Sequence, residues 1–226
     1  GIRPVVLEAK EGIALNNGTQ AMTAVAVLAL HDAEALADTA DTAAAMTLEA
    51  VKGKSDPFDI RVSRVRPHAG QALSAARVRA MIKGSALVDA ADEDTRDSVQ
   101  DSYSLRCVPQ VHGASRDAFR HVRGVIETEI NAATDNPLIF PERGRALSAG
   151  NFHGQPVALA MDFLGLAVAE LGSIAERRVA KLMDRHHNSG LPAFLARNGG
   201  VESGLMILQY TAAALVSENK VLIHPA

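Results

Sequence analysis

Apolar positions recur along most of this chain with helical rather than alternating spacing. Residues 21–50 hold twelve alanines, punctuated by Val25, Leu28, Leu36 and Leu48. That composition has high helix propensity and few strand formers, and predicts one helix with at most a single break. Gly53 follows, and the stretch KGKSDPFDIRVSRVRPHAG carries two prolines and two glycines, so 53–70 reads as loop. Gln71 to Ile82 reads as a short helix closed by Gly84. The run from 89 to 104, DAADEDTRDSVQDSYS, is strongly acidic with almost no apolar anchors, the pattern of a mobile surface loop.

Pro109 suits the first turn of a helix reaching about Ala133, where Asp135-Asn136-Pro137 stops it. A longer helix is expected from Gln155-Pro156. Its Val157, Met161, Leu164, Val168, Leu171, Ala175 and Leu182 step by four and three, a seam for packing on other helices, with Asp162, Glu170, Arg177 and Arg178 off it. Val201, Leu205, Leu208, Ala212, Leu215 and Asn219 repeat the device. With no alternating runs of useful length and no repeat, five helical segments predict an all-α bundle of long helices.

At 226 residues the chain is one large domain or a piece of something larger. Apolar residues make up 47% and charged ones 22%, with mean hydropathy +0.04, and no run approaches the roughly 20 apolar residues of a membrane span. A net charge of -3 leaves no basic excess for phosphates or anionic lipid, which argues against nucleic-acid and membrane partners. The one cysteine, Cys107, excludes an internal disulfide and a Cys-based zinc cluster, and suits a reducing compartment. The first ten residues, GIRPVVLEAK, lack signal-peptide regions and an initiator Met, and SENKVLIHPA stops straight after a helical pattern. Both ends suggest a segment of a longer chain.

Familiar chemistry motifs are missing: there is no GxGxxG, P-loop, HExxH or GxSxG. None of the eight histidines pair at i, i+4, and His186 and His187 point to different sides of a helix, so no metal site is expected. Asn17-Gly18-Thr19 fits a glycosylation sequon by chance. Three polar runs remain. LNNGTQAM sets Asn17, Gly18 and Thr19 at the mouth of an apolar helix, where Thr19 or Asn17 would serve as an ordinary N-cap. VQDSYSLRCVPQ spaces Tyr103 and Arg106 at i, i+3, so one helical turn projects phenol and guanidinium from one face; an exposed loop pair is the plainer reading. SAGNFHGQP puts Phe152 in a glycine-flanked elbow, where it could simply plug the start of the longest helix.

Taken together, LEAKEGIALNNGTQ, YSLRCVPQVHGA, EINAATDNPLIF, GNFHGQPVALAMDF, ERR with LPAFL downstream, and AAALVSENK resemble the histidine and phenylalanine ammonia-lyase family, the histidine branch above all. The runs extend in order from Val6 to Pro225. The resemblance implies a long-helix bundle forming the superhelical core of a homotetramer, a cytoplasmic location, and a methylidene-imidazolone made from an internal Ala-Ser-Gly. That tripeptide is absent from these residues. In the family it lies upstream of the LEAKEG-like run, so 1–226 reads as the central helical-bundle segment of a longer lyase chain, inactive by itself.

Ammonia loss from an α-amino acid removes a weakly acidic β-proton and expels a poor leaving group, a task for an added electrophile. The resemblance implies that Arg106 binds the substrate carboxylate, for which its planar fork suits a two-pronged grip. It places Tyr103 beside the reacting amine and the prosthetic group, able to donate or accept a proton. Asn17 is to hydrogen-bond the carboxylate or the imidazolone, with Gln100 nearby, and Phe152 is to pack against the prosthetic group or substrate. A lid tyrosine upstream and a glutamate downstream would complete the site. Histidine is the expected substrate, giving urocanate and ammonia. Phenylalanine or tyrosine lyases and aminomutases share parts of these runs, and a catalytically dead helical scaffold is a further alternative.

Overall fold

The computed structural model describes residues 1, 3–90 and 99–224. Half of the acidic stretch, 91–98, therefore lies outside the described residues. The rest is all-α apart from one small hairpin. Helix α1 (Glu11–Asn16) leads into α2 (Gln20–Ala50), which runs unbroken for 31 residues. The segment expected as loop holds a 3-10 turn at Asp56–Phe58 and helix α3 (Ile60–Val65), whose N-cap Asp59 accepts the Arg61 amide at 2.7 Å. Helix α4 spans Ala69–Met81 and α5 is a single turn, Tyr103–Arg106, where loop was expected. Helix α6 (Val108–Glu129) ends short of the Asp-Asn-Pro stop. Strands β1 (Leu138–Phe140) and β2 (Arg145–Leu147) pair antiparallel, Ile139 opposite Ala146. Helix α7 (Gln155–Met183) and helix α8 (Met206–Leu222) follow. His186 and His187 fall in the turn after α7 rather than on it.

The buried face of α2 is built from small residues. Ala26, Ala33, Ala37, Ala40, Ala44 and Ala45 line it with Leu30 and Leu48, while Val25, Leu28 and Leu36 face outward. Alanine allows close approach, so Phe119, Val122 and Ile126 of α6 and Val157, Leu164 and Leu171 of α7 fill the space along its first half. Around Leu48 the second half packs Val51, Phe58, Val78, Leu105, Val108 and Ile174. Each fully buried Leu or Phe there is worth roughly 2 kcal/mol of transfer free energy. The pairing fixes direction: α6 runs antiparallel to α2, with Ile126 near Ala26 and Val108 near Leu48. Helices α4 and α6 touch through glycines, since a Cβ on Gly70 would lie 2.0 Å from the Gly113 carbonyl oxygen.

One expectation about α7 needs revision. Arg178, placed off the seam, is only 3% exposed. The α8 seam does not close within this chain: Leu208 and Leu215 are about half exposed, and α8 has no buried residue. The expectation that no segment approaches the apolar length of a membrane span is also corrected, because 11–50 and Gln155–Met183 contain windows long and apolar enough by composition. Here they form bundle helices that bury charged groups, Asp41 in the first and Glu176 and Arg178 in the second.

Asp41, fully buried, ties three helices together. His112 Nδ1 donates to its Oδ1 at 2.8 Å, Ser74 Oγ donates at 3.0 Å, and Arg116 Nη2 donates to Oδ2 at 2.6 Å. Burial alone would raise the Asp41 pKa, but the hydrogen bond from His112 and the Arg116 charge outweigh it and hold the carboxyl below its ordinary 3.8. His112 is driven the other way from its carboxylate neighbour's pull: burial lowers its pKa below 6.5, so the folded ring is neutral with its proton on Nδ1. Both groups then have depressed folded values, and the signs agree. Below pH 6.5 the unfolded chain takes up a proton at His112 that the folded chain does not, and below 3.8 the same holds for Asp41, so stability is lost as pH falls. We expect the thermal midpoint of the full-length protein to fall from pH 7 to pH 5, with His112 contributing up to about 1.4 kcal/mol per pH unit, and His112→Gln to flatten that slope. An equal slope in the variant would assign it elsewhere.

Candidate active site

The residues singled out by sequence separate into two groups, one at each end of α2. The first group surrounds its N-terminus. Asn17 sits in the link between α1 and α2, half-buried, and its Nδ2 donates to Asp135 Oδ1 at 3.3 Å. Lys10 forms an ion pair with Asp135, and the Asn136 amide donates to the same carboxylate at 2.6 Å. The Lys10 hydrogen bond, followed by that amide, holds the Asp135 carboxyl below its usual range. Thr19 is not the cap expected. It makes no side-chain cap to α2, and its Oγ1 donates to Glu129 Oε1 at 2.6 Å while its amide donates to Thr134 Oγ1 at 3.3 Å. Gly18, at φ 128°, lets the link lie flat on this surface, since a Cβ there would sit 2.1 Å from the Thr134 carbonyl oxygen. The link is therefore clasped to the segment after α6.

Phe152 belongs to the same end. Asn151 Nδ2 donates to the Ala133 carbonyl at 3.3 Å, and a Cβ on Gly154 would meet Met22 Sδ at 2.5 Å. Phe152 itself is 41% exposed, so it does not plug the start of α7. An exposed ring beside the Asn17 link is a surface ready to meet something else.

The second group surrounds the C-terminal end of α2. Leu105 anchors α5 in the cluster around Leu48, Val51 and Phe58. That leaves Tyr103 on the outside, 70% exposed, and Arg106 half-buried beside it, its Cζ 4.5 Å from the centre of the Tyr103 ring. The shared face expected from i, i+3 spacing is thus present as a cation–π contact. Gln100 is exposed, one residue before Asp101, whose carboxylate accepts the Lys54 amide at 2.6 Å. Among the described residues Arg106 has no carboxylate partner, and its buried Nε has no acceptor. One turn on, the buried Gln110 Oε1 has no donor. A half-buried cation left without an anion is poised for an anionic ligand.

Behind α5 stands Arg178. Its Nη1 donates to the Ser104 carbonyl at 3.3 Å, on the turn between Tyr103 and Arg106, and burial lowers its pKa to about 10. Sequence reasoning missed it, along with Lys10 and the Asp135 anchor. Asp135 had been read only as part of a helix stop, and Arg178 was discounted because charge on a helix usually marks the solvent side.

The distance between the groups is set by α2. At 1.5 Å per residue its 31 residues span about 46 Å, far longer than an amino acid. The structure brings Asn17 and Phe152 to one end and Gln100, Tyr103 and Arg106 to the other. One copy of this chain does not unite them around a single small ligand.

Comparison with known proteins identifies the family. The chain belongs to the aromatic amino acid lyase family, whose sequence model matches residues 1–226. It is 59% identical to histidine ammonia-lyase of Symbiobacterium thermophilum and 55% identical to that of Treponema denticola, in each case over all of this chain and 44% of the relative. It thus spans less than half the length of these curated relatives. Among solved structures it is similar to histidine ammonia-lyase from Trypanosoma cruzi, with TM-score 0.89 and 47% identity over all of this chain and 41% of that one. It is also similar to tyrosine aminomutase from Streptomyces globisporus, with TM-score 0.92 and 40% identity over all of this chain and 46% of that one.

If Arg178 fixes the height of α5, Arg178→Met in the full-length protein should speed amide hydrogen exchange at residues 103–107 by about tenfold, the loss of roughly 1.5 kcal/mol from one charge-assisted hydrogen bond. Exchange at the N-terminal end of α2 should not change. Equal acceleration at both ends would make Arg178 a general stabiliser instead.

Proposed function

We propose that the protein carrying this segment is an ammonia-lyase that converts L-histidine to urocanate and ammonia. The observation that carries the reading is Arg106: half-buried, without a carboxylate partner among the described residues, stacked on Tyr103, and mounted on a turn held from behind by Arg178. Relatives named histidine ammonia-lyase at 55–59% identity support the choice of substrate over the aminomutase at 40%.

Arg106 grips the substrate carboxylate through its planar fork, fixing the amino acid in one orientation. Tyr103 stands beside the amine, where its hydroxyl exchanges a proton with the departing nitrogen. Gln100 lies next to it. From the opposite end of another copy come Asn17, which contacts the polar part of the ligand, and Phe152, whose exposed ring covers the apolar side and excludes water. The methylidene-imidazolone implied by the family supplies an electrophile that makes the nitrogen a better leaving group. The half-exposed Phe152 and the amide of Asn17 fit a flat, polar heterocycle of that kind, and its Ala-Ser-Gly source lies outside these residues. Net, the β C–H proton and the C–N bond are lost, and a double bond forms between the α and β carbons.

The two-ended layout supports an assembly in which copies meet head to tail, and the outward Val25, Leu28 and Leu36 of α2 with the open α8 seam offer the apolar surface for it. We take this to be the homotetramer, in the cytoplasm, that the family resemblance implies. An aminomutase is the second reading, because the backbone matches the tyrosine aminomutase as well as it matches the lyase.

Steady-state assays of the full-length protein should give a higher kcat/KM for histidine than for phenylalanine or tyrosine, with urocanate and no β-amino acid as product. Arg106→Ala should lower kcat/KM by about a hundredfold or more, Arg106→Lys should recover part of it, and neither should move the melting temperature. Preference for another amino acid, or unchanged kinetics in Arg106→Ala, would refute the assignment. A second test follows from the separation of the groups. Asn17→Ala and Arg106→Ala, each nearly inactive alone, should regain activity when coexpressed, since mixed assemblies contain sites built from one intact end of each copy. Absence of any recovery would argue against shared sites.

A further inference from the structure

Asn17 has an amide whose two ends do different chemistry, and the structure fixes which end faces the ligand. Its nitrogen is within hydrogen-bonding distance of Asp135 Oδ1. A carboxylate only accepts, so the nitrogen, not the carbonyl oxygen, must be the end on Asp135. Lys10 pairs with the other carboxylate oxygen and the Asn136 amide shares Oδ1, so the carboxylate is itself held by a cation and a backbone N–H. The backbone that follows Asn17 is also constrained, through Thr19 to Glu129 and Thr134 and through the close approach of Gly18. No described residue donates to Asn17 Oδ1.

We propose that Asp135 is the positioning residue for Asn17 and that it makes Asn17 an acceptor, its free carbonyl oxygen meeting the substrate's ammonium group. This rests on the amino-acid lyase reading above and sharpens it. A substrate carboxylate at the same amide would have to take the second N–H of the nitrogen already bonded to Asp135, crowding two carboxylates against one NH2 group while the carbonyl oxygen faced an anion. The carboxylate and the amine of the ligand are thereby divided between the two ends of α2: Arg106 takes the anion and Asn17 takes the cation.

The test uses the full-length enzyme with histidine and with imidazolepropionate, which keeps the ring and carboxylate but lacks the amine. Asp135→Asn lets the Asn17 amide turn over, and should lower kcat/KM for histidine by about tenfold or more. The inhibition constant of imidazolepropionate should stay within about twofold of wild type. In an Asn17→Ala background the same Asp135 change should cost less than about threefold, because its effect passes through Asn17. If Asp135→Asn does not assemble, Asp135→Glu, which keeps the charge but moves it by one methylene, is put through the same comparison. Full additivity with Asn17→Ala, or equal weakening of imidazolepropionate, overturns the positioning role while leaving the lyase reading intact. A harmless Asn17→Ala removes Asn17 from the site and sinks this inference together with the assignment of that end.

Discussion

A straight helix cannot bring its own ends together, and the 31 residues of α2 impose that constraint on everything around it. Helices α6 and α7 lie along its length, so the loops that join them necessarily gather at one end or the other. The Asn17 link, the segment 129–136 and the elbow before α7 collect at the N-terminus, and α5 with the 99–102 approach collects at the C-terminus. Residue chemistry suited to one ligand is thereby spread over about 46 Å. In the shared site proposed above, a second copy turned end for end closes the gap, and on that proposal the separation of the groups and the association of copies have one cause.

Close packing along that rod leaves the bundle with a charge to accommodate. Small residues on α2 and the Gly70–Gly113 contact draw three helices near enough that Asp41 is excluded from water. An isolated buried carboxylate would cost several kcal/mol, and removal of its partners would be correspondingly severe. It is instead surrounded by donors from α4 and α6: Ser74, His112 and Arg116, with Arg77 Nε 3.2 Å away. Such a network adds little net stability over an apolar core. It does fix the register of the three helices, because a slide of one turn would strand each partner.

The long helices were legible from sequence because their evidence is periodic and redundant. Seven seam positions on α7 outvote any one exception, and Pro109 and Pro156 mark helix starts by geometry alone. What escaped was local or long-range. The single turn of α5 is too short to carry a period, and the sequence singles out no face of α2 because the alanines that line its buried side recur all along the helix. Candidate residues were legible as types through family resemblance, and the Tyr103–Arg106 face through spacing. Their grouping was not, since no sequence interval encodes which end of a rod a loop returns to. Asp135 meets Lys10 across 125 positions, and nothing near either residue announces it.

The two ends share a design that explains why the missed residues matter. In each, a side chain that the proposed site offers to a ligand is backed by a charged group that meets the protein instead: Asp135 behind Asn17, Arg178 behind the turn of Tyr103 and Arg106. Surface side chains otherwise sample several rotamers, and freezing one costs about 1 kcal/mol or more of entropy when a ligand binds. Supports of this kind meet that cost during folding, so the contact surfaces are ordered before they meet. For a site divided between copies the advantage is larger, because each half must be correct without the other present to correct it. A flexible half-site would gain its order only on assembly, and assembly would then be weaker by the same amount.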